Sequence, residues 1–191
     1  MIICIVGLGY VGLPLSLAFS KVHEVIGYDT SSKRIRELNK YYDTNGEFSK
    51  KELNKKTNLI FTDKKSKIKE ANIYIITVPT PVNKNNKPNL KPLISASKIV
   101  GKYLSDNDIV IYESTVYPGC TEEKCVPILE KKSGLIFNKD FFCGYSPERI
   151  NPGDKKRKLK DIIKVTSGSN TEVAFKIDQL YKKIIDAGTH L

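Results

Sequence analysis

The first twenty residues restrict the fold more than any other part of the chain. Ile2-Ile3-Cys4-Ile5-Val6 is a short β-branched run, stopped by Gly7-Leu8-Gly9-Tyr10-Val11-Gly12 and followed by Leu13-Pro14-Leu15-Ser16-Leu17-Ala18-Phe19. A run of that length bounded by glycine reads as a buried strand, and Leu15, Ala18 and Phe19, spaced i, i+3, i+4, read as one face of a helix. The turn between them matches G-x-G-x-x-G, the pattern of a dinucleotide-binding unit. Gly7 permits the tight turn, Gly9 lets a pyrophosphate approach the backbone, and Gly12 lets the helix pack closely on the strand. The phosphates then face the helix N-terminus, with Tyr10 and Val11 on the same turn.

Glycine-rich turns after strands are common, so a second feature is needed. Val25-Ile26-Gly27-Tyr28 reads as the next strand, and Asp29 ends it 17 positions past Gly12. An acid near this spacing meets the adenosine ribose. The competing reading is that Asp29 caps the helix starting near Ser31, and the two roles are compatible.

The uncharged stretch from Met1 to Ser20 has the length of a membrane span or secretory signal. It lacks a basic start and a small-residue cleavage site, and three glycines with Pro14 disfavour a spanning helix. It reads instead as buried core, which places the protein in the cytoplasm. With 191 residues and 40% hydrophobic content the expectation is one domain, residues 1–191. The net charge of +11 raises nucleic-acid binding as a possibility. The lysines, however, are scattered over helix-like and loop segments such as Lys50-Lys51, Lys64-Lys65 and Lys155-Lys156-Arg157-Lys158, without interleaved aromatics. They read as solvated faces whose field favours anionic ligands, and no nucleic-acid or membrane partner is expected. Cys4, Cys120, Cys125 and Cys143 fit neither a disulfide framework nor a zinc spacing, so no metal site is expected. Cys120 and Cys125 flank a helix start, where a lowered thiol pKa is an open option.

Further along, Ser31 to Lys40 reads as a surface helix with Ile35 and Leu38 inward, and Tyr41 to Lys56 as a polar excursion. Leu59–Phe61, Ile73–Val78, Ile109–Tyr112, Phe141–Tyr145 and Ile162–Val165 read as strands. Asp63–Glu70, Pro92–Leu104 (Ile94, Ile99 and Val100 inward), the segment after Thr121 with Thr121 as its cap, and Thr171–Ile185 read as helices. Alternation of strands and helices predicts an α/β fold, a doubly wound parallel sheet of the Rossmann type. Polar loops at Pro79, Ser114 and Ser146 follow strands and should gather at the carboxyl edge that carries the glycine turn.

Taken together, Gly7-Leu8-Gly9-Tyr10-Val11-Gly12-Leu13-Pro14, Asp29 with Arg34, Val78-Pro79-Thr80-Pro81, Ser114-Thr115-Val116-Tyr117-Pro118-Gly119 and Ser146-Pro147-Glu148-Arg149-Ile150-Asn151-Pro152-Gly153 resemble the UDP-glucose/GDP-mannose dehydrogenase family over nearly the whole chain. That family oxidises the C6 alcohol of a nucleotide sugar to a carboxylate with two NAD. The resemblance implies that Asp29 holds the adenosine ribose and that Arg34 flanks the adenine end. It also implies that Thr80 and Thr115 line the nicotinamide side, and that Glu148, helped by Thr115, places the water for hydrolysis. The glucose-oxidising branch carries a second carboxylate four positions beyond the match to Glu148, where this chain has Pro152. The Pro-Glu-Arg-Ile-Asn-Pro-Gly form is similar to enzymes acting on UDP-N-acetylhexosamines for surface polysaccharide synthesis, such as capsule. The family also has a central helix, which forms a homodimer, and a second domain with a cysteine nucleophile. Nothing in this sequence matches either, so these residues are expected to form the NAD-binding amino-terminal half of such an enzyme, inactive alone. Two other readings stay open. One is a free-standing NAD-binding module without chemistry, and the other half of a 3-hydroxyacid dehydrogenase, which leaves Pro147-Glu148-Arg149 unexplained. For Glu148 itself the competing role is a structural ion pair with Arg149 or a nearby lysine.

Overall fold

In the computed structural model, which describes residues 1–55, 57–82, 84–149 and 158–191, the apolar runs become the strands of one central sheet. The chain runs through β1 (Ile2–Val6), α1 (Gly12–Phe19), β2 (Glu24–Tyr28), α2 (Ser32–Asn39), α3 (Lys50–Leu53), β3 (Leu59–Thr62), β4 (Ile73–Ile76), α4 (Lys91–Val100), β5 (Ile109–Tyr112), α5 (Val126–Ser133) and β6 (Phe142–Tyr145). It continues through β7 (Lys164–Val165), β8 (Ser167–Gly168), α6 (Thr171–Lys182) and β9 (Thr189–His190). The sheet order is β3-β2-β1-β4-β5-β6-β8, with β8 antiparallel to β6 and the other pairs parallel.

Alternate residues of β1 feed two separate cores. Ile3 and Ile5 pack with Leu13, Phe19 and Ile177 of α1 and α6, while Cys4 and Val6 pack with Leu93, Val100 and Leu129 of α4 and α5. Burial on both faces explains why β1, β4 and β5 read as unbroken apolar runs. Residues Tyr28, Val6, Ile76, Tyr112 and Tyr145 are register partners across five adjacent strands. The segments that follow them therefore leave from one level edge, and the sheet order reverses between β1 and β4, where open α/β sheets bind ligands.

Several expected elements differ. Asp63–Glu70 is a 3-10 helix over Lys65–Glu70, because its single buried residue, Ile68, gives an α-helix no apolar stripe. Thr121 is not at the cap position: Cys120 precedes a π-helical turn, Thr121–Cys125, and the buried Thr121 lies inside it. The segment Ile162–Val165 supplies only the short β7, which pairs with β9 outside the main sheet. In α4 the buried residues are Leu93, Ala96, Ser97 and Val100, and Ile94 and Ile99 are only partly covered. The polar excursion contains α3, closed by a Ser49/Glu52 capping box. No helix among the described residues is long and apolar enough to cross a membrane.

Just before β5, Asp108 is 2% exposed and accepts the Ser105 N–H at 2.8 Å. Burial pushes its carboxyl up to about 6. Because the folded value lies above the unfolded one, the folded chain holds this proton more tightly. The contribution is complete below about pH 4 and is lost as pH rises to about 6, at about 1.4 kcal/mol per unit of difference. Asp108→Asn keeps an acceptor and removes the charge. Its urea midpoint, relative to the parent chain, is expected to rise between pH 4 and pH 7, and a constant difference would contradict the burial argument.

Candidate functional site

The glycine turn is held by backbone and by β4. Gly7 takes a positive φ of 99° and donates its N–H to Tyr28 O at 2.8 Å. Thr77 Oγ1, just past β4, donates toward Gly7 O at 2.7 Å and lies 3.1 Å from Val6 O. A side chain at Gly12 has no room, since its Cβ would lie 1.8 Å from Gly7 O. At Gly9 the opposite holds: a Cβ would meet nothing within 4 Å. Gly9 and Tyr10 are exposed, Val11 is half-buried, and α1 begins with no side-chain cap. Uncapped helix N–H groups beside open space suit an anion.

Asp29 braces this turn. Its Oδ2 accepts Leu8 N–H at 2.9 Å and its Oδ1 accepts Ser31 N–H at 2.8 Å. The α2 cap is Ser31, whose hydroxyl accepts Arg34 N–H at 3.3 Å, so Asp29 supports the cap without being it. A carboxylate has lone pairs left for ribose hydroxyls after these two bonds. Arg34 Nε donates to Leu8 O at 2.9 Å, and its Nη1 lies 2.7 Å from Asp43 Oδ1. Between the turn and α4 opens a cleft of about 350 Å³, walled by Val78, Pro79, Pro92 and Ile99 and bordered by Gly9 and Asp29. An apolar slot, an acid at its rim and an open glycine over a helix N-terminus fit the adenosine and pyrophosphate of a dinucleotide. Sequence reasoning missed the α4 wall; Pro92 and Ile99 were legible only as helix residues.

Two threonines meet farther along the edge. Thr80 Oγ1 donates to Thr115 O at 2.7 Å, and Ser114 Oγ donates to Val78 O at 2.7 Å, which clamps the loops after β4 and β5 together. Glu148, after β6, has a side chain 10% exposed, and its Oε1 accepts Arg149 N–H at 2.6 Å. It forms an ion pair with Lys164 at 3.3 Å, and the Arg149 guanidinium donates to Ile163 O at 3.2 Å. Lys164, 3% exposed, also lies 2.5 Å from the fully buried Glu113, which accepts the Tyr181 hydroxyl as well. Burial pushes the Glu113 carboxyl up, and Glu148 adds to the rise against Lys164 and Tyr181. Neither Glu113 nor Lys164 was singled out from sequence. The residues Ile150 to Gly153, including Pro152, lie outside the described residues.

The four thiols are buried and free of disulfides. Burial raises Cys120 and lifts Cys125 to about 11, so desolvation overrides any lowering from the helix start.

The model of the UDP-glucose/GDP-mannose dehydrogenase family, NAD binding domain, matches residues 1–185. The chain is 57% identical over 188 residues to UDP-N-acetyl-D-glucosamine 6-dehydrogenase of Salmonella typhi, covering 98% of this chain and 44% of that protein. It is 54% identical over 188 residues to the Pseudomonas aeruginosa protein of the same name, again covering 98% and 44%. Among solved structures, the UDP-D-ManNAc dehydrogenase of Pyrococcus horikoshii is similar with a TM-score of 0.90 at 32% identity, over 100% of this chain and 46% of that one. The chain thus spans less than half the length of the curated relatives it matches. With its glycine turn, acid-rimmed cleft and parallel sheet, it belongs to the UDP-glucose/GDP-mannose dehydrogenase family and carries that family's NAD-binding domain.

Proposed function

We propose that residues 1–191 form the NAD-binding domain of a nucleotide-sugar 6-dehydrogenase that oxidises the C6 alcohol of a UDP-N-acetylhexosamine to a carboxylate. The observation that carries this reading is the cleft between the open Gly9 and α4, with Asp29 at its rim. The names of the relatives support the sugar class. Gly7, Gly9, Tyr10, Val11 and Gly12 cradle the pyrophosphate, Asp29 takes the ribose, and Arg34 flanks the adenine end. Thr80 and Thr115 border the nicotinamide side. NAD, when bound, supplies the hydride acceptor. Glu148 holds the hydrolytic water and takes its proton, with Thr115 helping to orient it, while Lys164 fixes one Glu148 oxygen. The same reading has a cytoplasmic homodimer acting on a free UDP-sugar, drawn in by the net charge of +11.

The test is turnover by the product of the complete gene. UDP-N-acetylglucosamine or UDP-N-acetylgalactosamine should be oxidised in preference to UDP-glucose, with two NADH per sugar. Preference for UDP-glucose would contradict the sugar assignment, and absence of NADH formation with every sugar would contradict the activity. Glu148→Gln in that protein should slow the second half-reaction and leave NAD affinity near the parent value. Unchanged turnover would leave Glu148 a structural residue.

For cofactor binding the decisive variant is Gly9→Val in this chain. The side chain enters space that is empty of protein, so the melting temperature should barely move while NAD binding is lost. Undiminished NAD affinity in a folded variant would remove Gly9 from the site.

A further inference from the structure

Arg34 stands in the first turn of α2, shortly after the acid that meets the ribose. An arginine near that acid is the residue type that accommodates a 2′-phosphate in NADP-binding sites. Here its charge is already engaged. Nε donates to Leu8 O at 2.9 Å, Nη1 lies 2.7 Å from Asp43 Oδ1, and the side chain is 11% exposed. Asp43 has no exposed side-chain surface and is itself held in place. Its Oδ2 accepts the N–H groups of Glu47 at 2.9 Å and Phe48 at 3.1 Å, and its Oδ1 accepts that of Asn45 at 3.2 Å. The loop after α2 is therefore wrapped around one carboxylate that faces the guanidinium. The contact is a charge pair rather than a directed hydrogen bond. Arg34 Nη2 is buried with no hydrogen-bond partner among the described residues, so the guanidinium keeps donors that a released side chain could offer.

Asp29 and Arg34 grip the two ends of the same residue, Leu8, through its N–H and its carbonyl. A phosphate on the ribose oxygen that Asp29 faces would thus arrive within about one residue's length of Arg34. We propose that Asp43 is a positioning residue for cofactor choice: by holding Arg34 it withholds the cation a 2′-phosphate needs, and together with Asp29 it directs the site to NAD over NADP. The inference rests on the NAD-binding reading of the glycine turn.

Titration calorimetry on this chain with NAD and NADP tests it in the parent, Asp43→Asn, Arg34→Gln and the double variant. Asn keeps one acceptor, enough for the Glu47 and Phe48 N–H groups, gives up the oxygen that accepts Asn45 N–H, and removes the charge. In Asp43→Asn, NADP affinity is expected to rise about tenfold, the scale of one hydrogen bond to a charged group. NAD affinity should stay within about twofold, so the ratio moves, which a merely structural loss would not produce. The double variant should return the ratio to the parent value. Arg34→Gln alone should not shift the ratio, because the cation is not in use. An unchanged ratio in an Asp43→Asn chain that binds NAD would overturn the proposal. So would a roughly tenfold loss of NADP relative to NAD in Arg34→Gln, and that arm decides the matter if Asp43→Asn does not fold. Failure of the parent chain to bind NAD would instead overturn the cofactor reading, and this inference with it.

Discussion

Replacing Lys164 by Met is expected to cost about 3–5 kcal/mol at neutral pH, the usual penalty for stranding a buried charge. Lys164 Nζ is the cation between Glu113 at 2.5 Å and Glu148 at 3.3 Å, and it also lies 3.4 Å from Pro147 O. Without it, a fully buried carboxylate keeps, among the described residues, the Tyr181 hydroxyl and faces a second acid. In a chain of this size the melting temperature should fall by about 10 °C. The pH dependence has a definite sign. Burial already raises the Glu113 carboxyl, and losing Lys164 raises it further, so the folded variant binds that proton more tightly than the unfolded chain. The deficit is therefore full above the folded-state value and shrinks as pH falls through it. Adding Glu113→Gln to Lys164→Met should recover much of the loss, because the pair is then replaced by neutral groups. Thermal melts at acidic and neutral pH check both statements, and a loss independent of pH would contradict the charge explanation.

Gly12→Ala is expected to be as damaging as Gly9→Val is harmless to the fold. The new Cβ would lie 1.8 Å from Gly7 O and 2.5 Å from Thr77 Oγ1. The first of these atoms is backbone in the tight turn, and the second is a hydroxyl tied to Val6 O and Gly7 O. Neither can step aside, so α1 must move off β1, at a cost of about 3 kcal/mol or more. NAD binding should be lost with it, since the turn and the helix N-terminus shift together. A denaturant midpoint close to the parent's would mean that the helix and strand are less closely apposed than the structure has them.

What could be read from sequence follows from distance along the chain. Strand, glycine turn and helix are local, so β1, the turn and α1 stand out in twenty consecutive residues, and Asp29 is found by its spacing from Gly12. The loops after β4, β5 and β6 were legible as polar segments after apolar runs, and the level register of those strands brings them to one edge. The Glu113–Lys164 pair joins residues 51 apart and leaves no periodic trace. Lys164 lay in an apolar segment that read simply as a strand. Asp43 was lost in the same way inside a stretch that reads as polar loop, although its carboxylate organises that loop and meets Arg34. Thr121 shows the limit of local cap rules. The chemistry of a cap was present, but packing of Cys120 and Cys125 into the core set the turn instead.

The measurement that reaches the central claim most directly is an NMR titration of the 15N-labelled chain with NAD. The expected result is a single saturable site, with the amides of Gly9, Tyr10, Val11, Thr30 and Ile99 moving together along one binding curve. Amides of β8, at the far edge of the sheet, should stay still. Saturable NAD binding that leaves the glycine-turn and α4 amides unmoved, or no binding at all, would contradict the assignment of this cleft as the cofactor site.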